Sequence, residues 1–115
     1  MRLSSLVVPA LLLCAALFVG PAPAAAAELP SFQIVAKDGK LIPNRLEVPA
    51  GTKFKIIFRN EGPGPEEFES TQPRMEKVLA PGASSFVVVQ PLQPGTYRIF
   101  GEFHPDTAEC LLIAK

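Results

Sequence analysis

The one histidine of the chain, His104, lies in the run Phe103-His104-Pro105-Asp106, with Glu109 close behind. Some forty residues earlier, Pro65-Glu66-Glu67-Phe68-Glu69 places three carboxylates in four residues. Both runs follow strongly apolar segments, so both belong at strand ends. If those ends share one pole of the fold, an imidazole is brought among carboxylates, which is a donor set for a metal ion. Each run also has a plainer reading: a glutamate-rich loop is ordinary solvated surface, and a lone loop histidine is an ordinary hydrogen-bonded turn residue. Acid–base chemistry by paired carboxylates needs a large concave site that nothing here indicates. A hydrolase is disfavoured, because only His104 can act as an imidazole base and no nucleophile is paired with it in the sequence.

Composition removes other classes. The 115 residues carry 11 basic and 11 acidic side chains, a formal net charge of +0. A chain that neutralises phosphates would show a basic excess, so nucleic acid is not an expected partner. Two cysteines cannot build a four-cysteine zinc site or a disulfide scaffold.

Residues 1–27 read as a secretory signal peptide. Arg2 supplies the positive start, Leu6 to Val19 the apolar stretch, Gly20, Pro21 and Pro23 the break, and Ala24 to Ala27 the small residues before a cut ahead of Glu28. A membrane span would need about 20 apolar residues, and this stretch ends short of that. The expected location is therefore the periplasm, and the expected domain is 28–115. Without Arg2 that domain has one more acidic than basic residue, and Cys110 is its sole cysteine. No disulfide within it can form, so the fold must stand on its core.

The elements that must position these residues are strands. Turn signals recur every 8–12 residues: Lys37-Asp38-Gly39, Pro49-Ala50-Gly51, Glu61-Gly62-Pro63-Gly64-Pro65, Pro81-Gly82 and Pro94-Gly95. Between them the side chains alternate. Phe54, Ile56 and Phe58 face one way while Lys53, Lys55 and Arg59 face the other. Strands are expected over Ser31–Ala36, Leu41–Val48, the Phe54 run, Ser85–Val89, Tyr97–Phe103 and Leu111–Ile113. Pro43 demotes its strand to an edge or a bulge. Cys110, on one face with Leu112, reads as a small core residue. The expected architecture is an all-β, two-sheet antiparallel sandwich of about seven to eight strands, with a long acidic excursion over 61–77 holding at most one helical turn.

The segment Gly95-Thr96-Tyr97-Arg98-Ile99-Phe100 followed by His104 resembles the last strand and loop of cupredoxins. Phe58-Arg59-Asn60-Glu61-Gly62 leading to Pro65-Glu66-Glu67-Phe68 resembles the segment carrying that family's first ligand histidine. Val48-Pro49-Ala50-Gly51-Thr52 and Ala80-Pro81-Gly82 match its turns. The resemblance spans 31–115 and implies a Greek-key β-sandwich. It puts Glu66 where the first histidine stands, Gly101 where the cysteine stands, His104 at the second histidine, and Ala108 or Glu109 near the methionine. A blue-copper centre needs a thiolate and two imidazoles, so neither intense blue colour nor blue-copper electron transfer is expected. The donors that carry over are Glu66, Glu67, Glu69 and His104, with Met75 as a soft donor and Asp106 and Glu109 as further oxygens. Such a set suits Fe(III), Fe(II), Mn(II) or non-blue Cu(II).

Glu-Glu-Phe-Glu-Ser followed by Phe-His-Pro-Asp is similar to the EfeO-type cupredoxin-like proteins. That resemblance implies a periplasmic copper- or iron-binding accessory that assists ferrous iron uptake or oxidation beside an iron permease or another periplasmic iron-uptake protein, with no standalone enzymatic activity. The alternative is a metal-free Greek-key module that binds a protein partner.

Overall fold

The computed structural model describes residues 4–5, 15–17, 20 and 28–115. Apart from those few positions, the signal peptide expected over 1–27 lies outside the described residues. Nine strands follow: β1 Ser31–Lys37, β2 Lys40–Ile42, β3 Arg45–Val48, β4 Phe54–Asn60, β5 Glu66–Ser70, β6 Met75–Leu79, β7 Ser84–Val89, β8 Gly95–Gly101 and β9 Glu109–Ala114. They form a four-stranded sheet in the order β2-β1-β4-β7 and a five-stranded sheet in the order β3-β9-β8-β5-β6. The expected all-β sandwich is what the chain builds, and no helix occurs among the described residues.

Each strand buries alternate residues. β4 turns Phe54, Ile56, Phe58 and Asn60 inward, and β9 turns Cys110, Leu112 and Ala114 inward. Phe58 of one sheet and Phe68 of the other stack across the interior, with ring centroids 4.6 Å apart. Phe32 meets Phe54 edge-on at 5.7 Å. Cys110 is wholly buried, and burial pushes its thiol up to about 12. A thiol without thiolate character is inert. Alkylation by iodoacetamide at pH 8 is therefore expected only after denaturation, and mass spectrometry of native and urea-treated protein checks it.

Three expectations are corrected. The sheets are mixed: β1 runs parallel to β4 and β3 parallel to β9, because the chain changes sheet between β2 and β3 and between β3 and β4. The stretch Leu41–Val48 is two edge strands, β2 in the first sheet and β3 in the second, broken at Pro43, which cannot donate to a ladder. The excursion over 61–77 is no loop; it holds β5 and the first part of β6, paired from Glu66↔Leu79 to Ser70↔Met75.

The outer faces of the two sheets differ in charge. On the first sheet the outward positions of β1, β2 and β4 carry Lys37, Lys40, Lys55 and Arg59, and no strand there presents a carboxylate. On the second, Glu47, Glu67, Glu69, Glu76 and Glu109 point outward against Arg45 and Arg98.

Candidate metal centre

β5 begins at Glu66, whose side chain points inward, as do Phe68 and Ser70. Glu66 is 3% exposed. Its Oε1 accepts two backbone N–H bonds, from Glu67 at 3.1 Å and from Phe103 at 3.1 Å. Its Oε2 lies 2.6 Å from Nδ1 of His104. The carboxylate thus faces the imidazole in an orientation set by the backbone of two different segments.

His104 is held by its own loop. Gly101 N–H donates to Ala108 O at 2.9 Å, His104 N–H to Gly101 O at 3.0 Å, and Ala108 N–H to His104 O at 2.8 Å. These bonds close residues 102–107 into a compact turn between β8 and β9. Thr107 donates its hydroxyl to Gly39 O at 2.5 Å, which ties that turn to the β1–β2 hairpin. Gly39 has φ +69, and a Cβ there would come within 3.3 Å of the His104 ring, so glycine serves both the turn and the ring's seat. The imidazole side chain is 50% exposed, the Glu66 side chain 5%. A cleft of about 490 Å³ opens beside the pair, lined in part by Asp38, Gly62, Pro63 and Gly64.

Asn60, at the buried end of β4, organises the approach. Its Nδ2 donates to Gly64 O at 2.8 Å and to Leu79 O at 3.0 Å, and its Oδ1 accepts from Gly62 N–H at 2.9 Å. One side chain therefore shapes the Gly62–Pro65 turn that delivers Glu66. Asn60 was legible only as part of the run resembling a cupredoxin segment; an Asn closing an apolar strand before Gly-Pro-Gly-Pro was the available signal. The roles of Gly39 and Thr107 had no such signal.

Of the expected donors the structure brings together two, Glu66 and His104. Glu67 and Glu69 share a strand with Glu66, and the two-residue period sends Glu67 and Glu69 to the opposite, outer face. Met75 pairs with Ser70 at the far end of the β5–β6 hairpin, roughly 13 Å along the strand from Glu66. Glu109 binds Arg98 at 2.5 Å on the outer face, and Asp106 is exposed in the turn. Among the described residues no group of three or more His, Cys, Asp and Glu side chains is arranged to hold an ion. A thiolate with two imidazoles does not fit here either. Gly101 offers no side chain, the Glu66 carboxylate sits where one would go, and His104 is the only imidazole.

The outer carboxylates crowd one another. Glu76 beside Glu67 lifts the Glu67 carboxyl from its ordinary 4.5 to about 7. Glu69 is also raised, by desolvation first and by Glu102 next. A carboxyl raised on folding binds its proton more tightly in the folded chain. Stability therefore falls as pH climbs from 4.5 through 7, and the penalty persists above that range. The Glu67→Gln variant is expected to flatten this slope, melting higher than the parent at pH 8 and alike at pH 4. Thermal melts across pH 4–8 read the difference directly.

Comparison with known proteins agrees with this architecture. The family model described as Cupredoxin-like domain matches residues 10–114. An uncharacterized protein of Rickettsia prowazekii (strain Madrid E) is 44% identical over 83 residues, which is 72% of this chain and 66% of that protein, just under two thirds of its length. Auracyanin from Roseiflexus castenholzii superposes with a TM-score of 0.64 at 12% identity, covering 77% of this chain and 99% of its own. For auracyanin B the TM-score is 0.67 at 14% identity, with 79% and 92% covered. The metal-binding domain of the Streptococcus pneumoniae D39 Cu(I)-exporting ATPase CopA, solved with Cu(I), gives 0.63 at 10%, with 74% and 84% covered. At such identities the solved structures speak to the fold alone. With two mixed sheets packed as a sandwich and a family match over nearly its full length, the chain belongs to the cupredoxin-like domain family.

Proposed function

We propose that this domain is an extracytoplasmic metal-binding accessory, holding a copper or iron ion between Glu66 and His104 at an open, non-blue site. One observation carries the reading: a buried carboxylate, oriented by two N–H groups, presents its free oxygen to the ring nitrogen of a half-exposed histidine. Carboxylate and imidazole together suit hard and borderline ions. Two protein donors leave the other coordination positions to water or to a partner's side chains, so the site is built for exchange rather than storage. A bound ion there would be electrophilic, and an oxygen donor favours Fe(III) over Fe(II), which assists oxidation.

Glu67, Glu69, Glu76 and Glu102 contribute by raising the cation concentration over the outer face of the same sheet. In this reading the chain is exported to the periplasm by the leader over 1–27. There it serves ferrous iron uptake beside an iron permease or a second periplasmic iron-uptake protein, as in the EfeO-type branch of the family.

A second reading has its own observation. Glu66 and His104 already satisfy each other at 2.6 Å, so the loops are joined with no ion, as in a module whose work is to bind a protein partner. Titration separates the two. Residues 28–115 contain all nine strands and the whole buried core. Cu(II), Fe(II) and Fe(III) competition assays on that segment are expected to show one-to-one binding that is lost in Glu66→Gln and His104→Ala. Absence of binding tighter than about 10 µM, roughly −7 kcal/mol, would move the function to the partner-binding module.

A further inference from the structure

Gly101 ends β8 directly beneath the Glu66–His104 pair. Its φ is not among the positive values of the chain, so the backbone there is open to any residue, and the demand for glycine comes from space. A Cβ on Gly101 would stand 2.8 Å from Glu66 Cδ, 2.8 Å from Glu66 Oε1 and 2.8 Å from Ala108 Cβ.

Glu66 and the Gly101 backbone are both held in place. Glu66 is fixed through Oε1 by the two N–H groups and through Oε2 by His104. Gly101 is fixed through its N–H to Ala108 O, through its O from His104 N–H, and by pairing with Phe68.

We infer that Gly101 is the specificity-determining position of this site: by carrying no side chain it admits the Glu66 carboxylate, and any side chain on it evicts that carboxylate. The two positions therefore act as one choice. Either β8 supplies a donor from position 101, or β5 supplies an oxygen from position 66, and this chain has taken the second. The consequence for ligand choice rests on the metal-binding reading above; the eviction itself does not.

The test uses residues 28–115 with Ala108→Gly as background, which removes the other obstacle to a Cβ. In Gly101→Ala/Ala108→Gly the His104 ring signals in a 15N–1H spectrum, recorded without metal, are expected to move to those of Glu66→Ala. Affinity for Cu(II) and Fe(III) is expected to drop at least tenfold. Ring signals that stay with the Ala108→Gly background would overturn the inference. If that double variant does not fold, adding Glu66→Ala must restore folding, and a triple variant no more stable than the double also overturns it. A parent domain that binds no metal sinks the metal-binding reading alone, because the ring signals still report on the eviction.

Discussion

Phe68→Ala is expected to cost about 3–5 kcal/mol, the range for removing a buried phenylalanine and leaving part of its volume empty. Phe68 is wholly buried at the middle of β5 and stacks on Phe58 of the facing sheet. It also pairs through its backbone with Gly101 on one side and Lys77 on the other. No disulfide can form within residues 28–115, whose single cysteine is buried and free. A domain of this size holds about 4–13 kcal/mol in total, at roughly 0.05–0.15 per residue. The substitution therefore removes a large share of the margin. Urea titration followed by circular dichroism should show the midpoint falling steeply, or no folded baseline at 37 °C. A change below about 1 kcal/mol would mean the two sheets do not depend on this contact.

Glu66→Ala has the second largest expected effect, about 2–4 kcal/mol. It strands the N–H groups of Glu67 and Phe103 and removes the partner of His104 Nδ1. A buried donor left unpaired costs about 1–3 kcal/mol, and water entering past the half-exposed imidazole recovers part of that. Glu66→Gln keeps an acceptor oxygen for the two N–H groups and is expected to lose under half as much. The pair of variants separates structure from ligation. Alanine lowers both stability and metal binding, whereas glutamine lowers binding with the fold nearly intact. Equal losses of stability in the two would place the energy in the charge rather than in the hydrogen bonds.

How much was legible follows from these residues. β4 alternates phenylalanine and isoleucine with lysine and arginine, so its register, its faces and its place in the core could be read directly. β5 could not be. Its inward positions are Glu66, Phe68 and Ser70 and its outward ones Glu67 and Glu69, so polar residues stand on both faces and no apolar alternation marks the strand. By sequence pattern alone the hairpin looks like an acidic loop. The same inversion misassigned the ligands: three glutamates close in sequence look like one cluster, while a strand turns Glu66 inward and leaves Glu67 and Glu69 on the outer face. The two runs read as strand ends, and whether they meet depends on those ends sharing a pole; in the fold Glu66 lies beside His104 across 38 residues. The space at Gly101 was out of reach, since a missing side chain shows its purpose only once the atom filling its room is known.

The division of charge between the two outer faces has a consequence for how the molecule travels. Residues 28–115 carry only one more acidic than basic side chain, so a uniform field draws the domain weakly. With Lys37, Lys40, Lys55 and Arg59 on one side and the glutamates of β5, β6 and β9 on the other, it carries a dipole from one sheet's outer face to the other's, and a field turns it more readily than it moves it. Within a Debye length of a negatively charged boundary, about 8 Å at physiological salt, the cationic face swings toward the boundary. The carboxylate face then looks outward, toward the solution from which cations arrive.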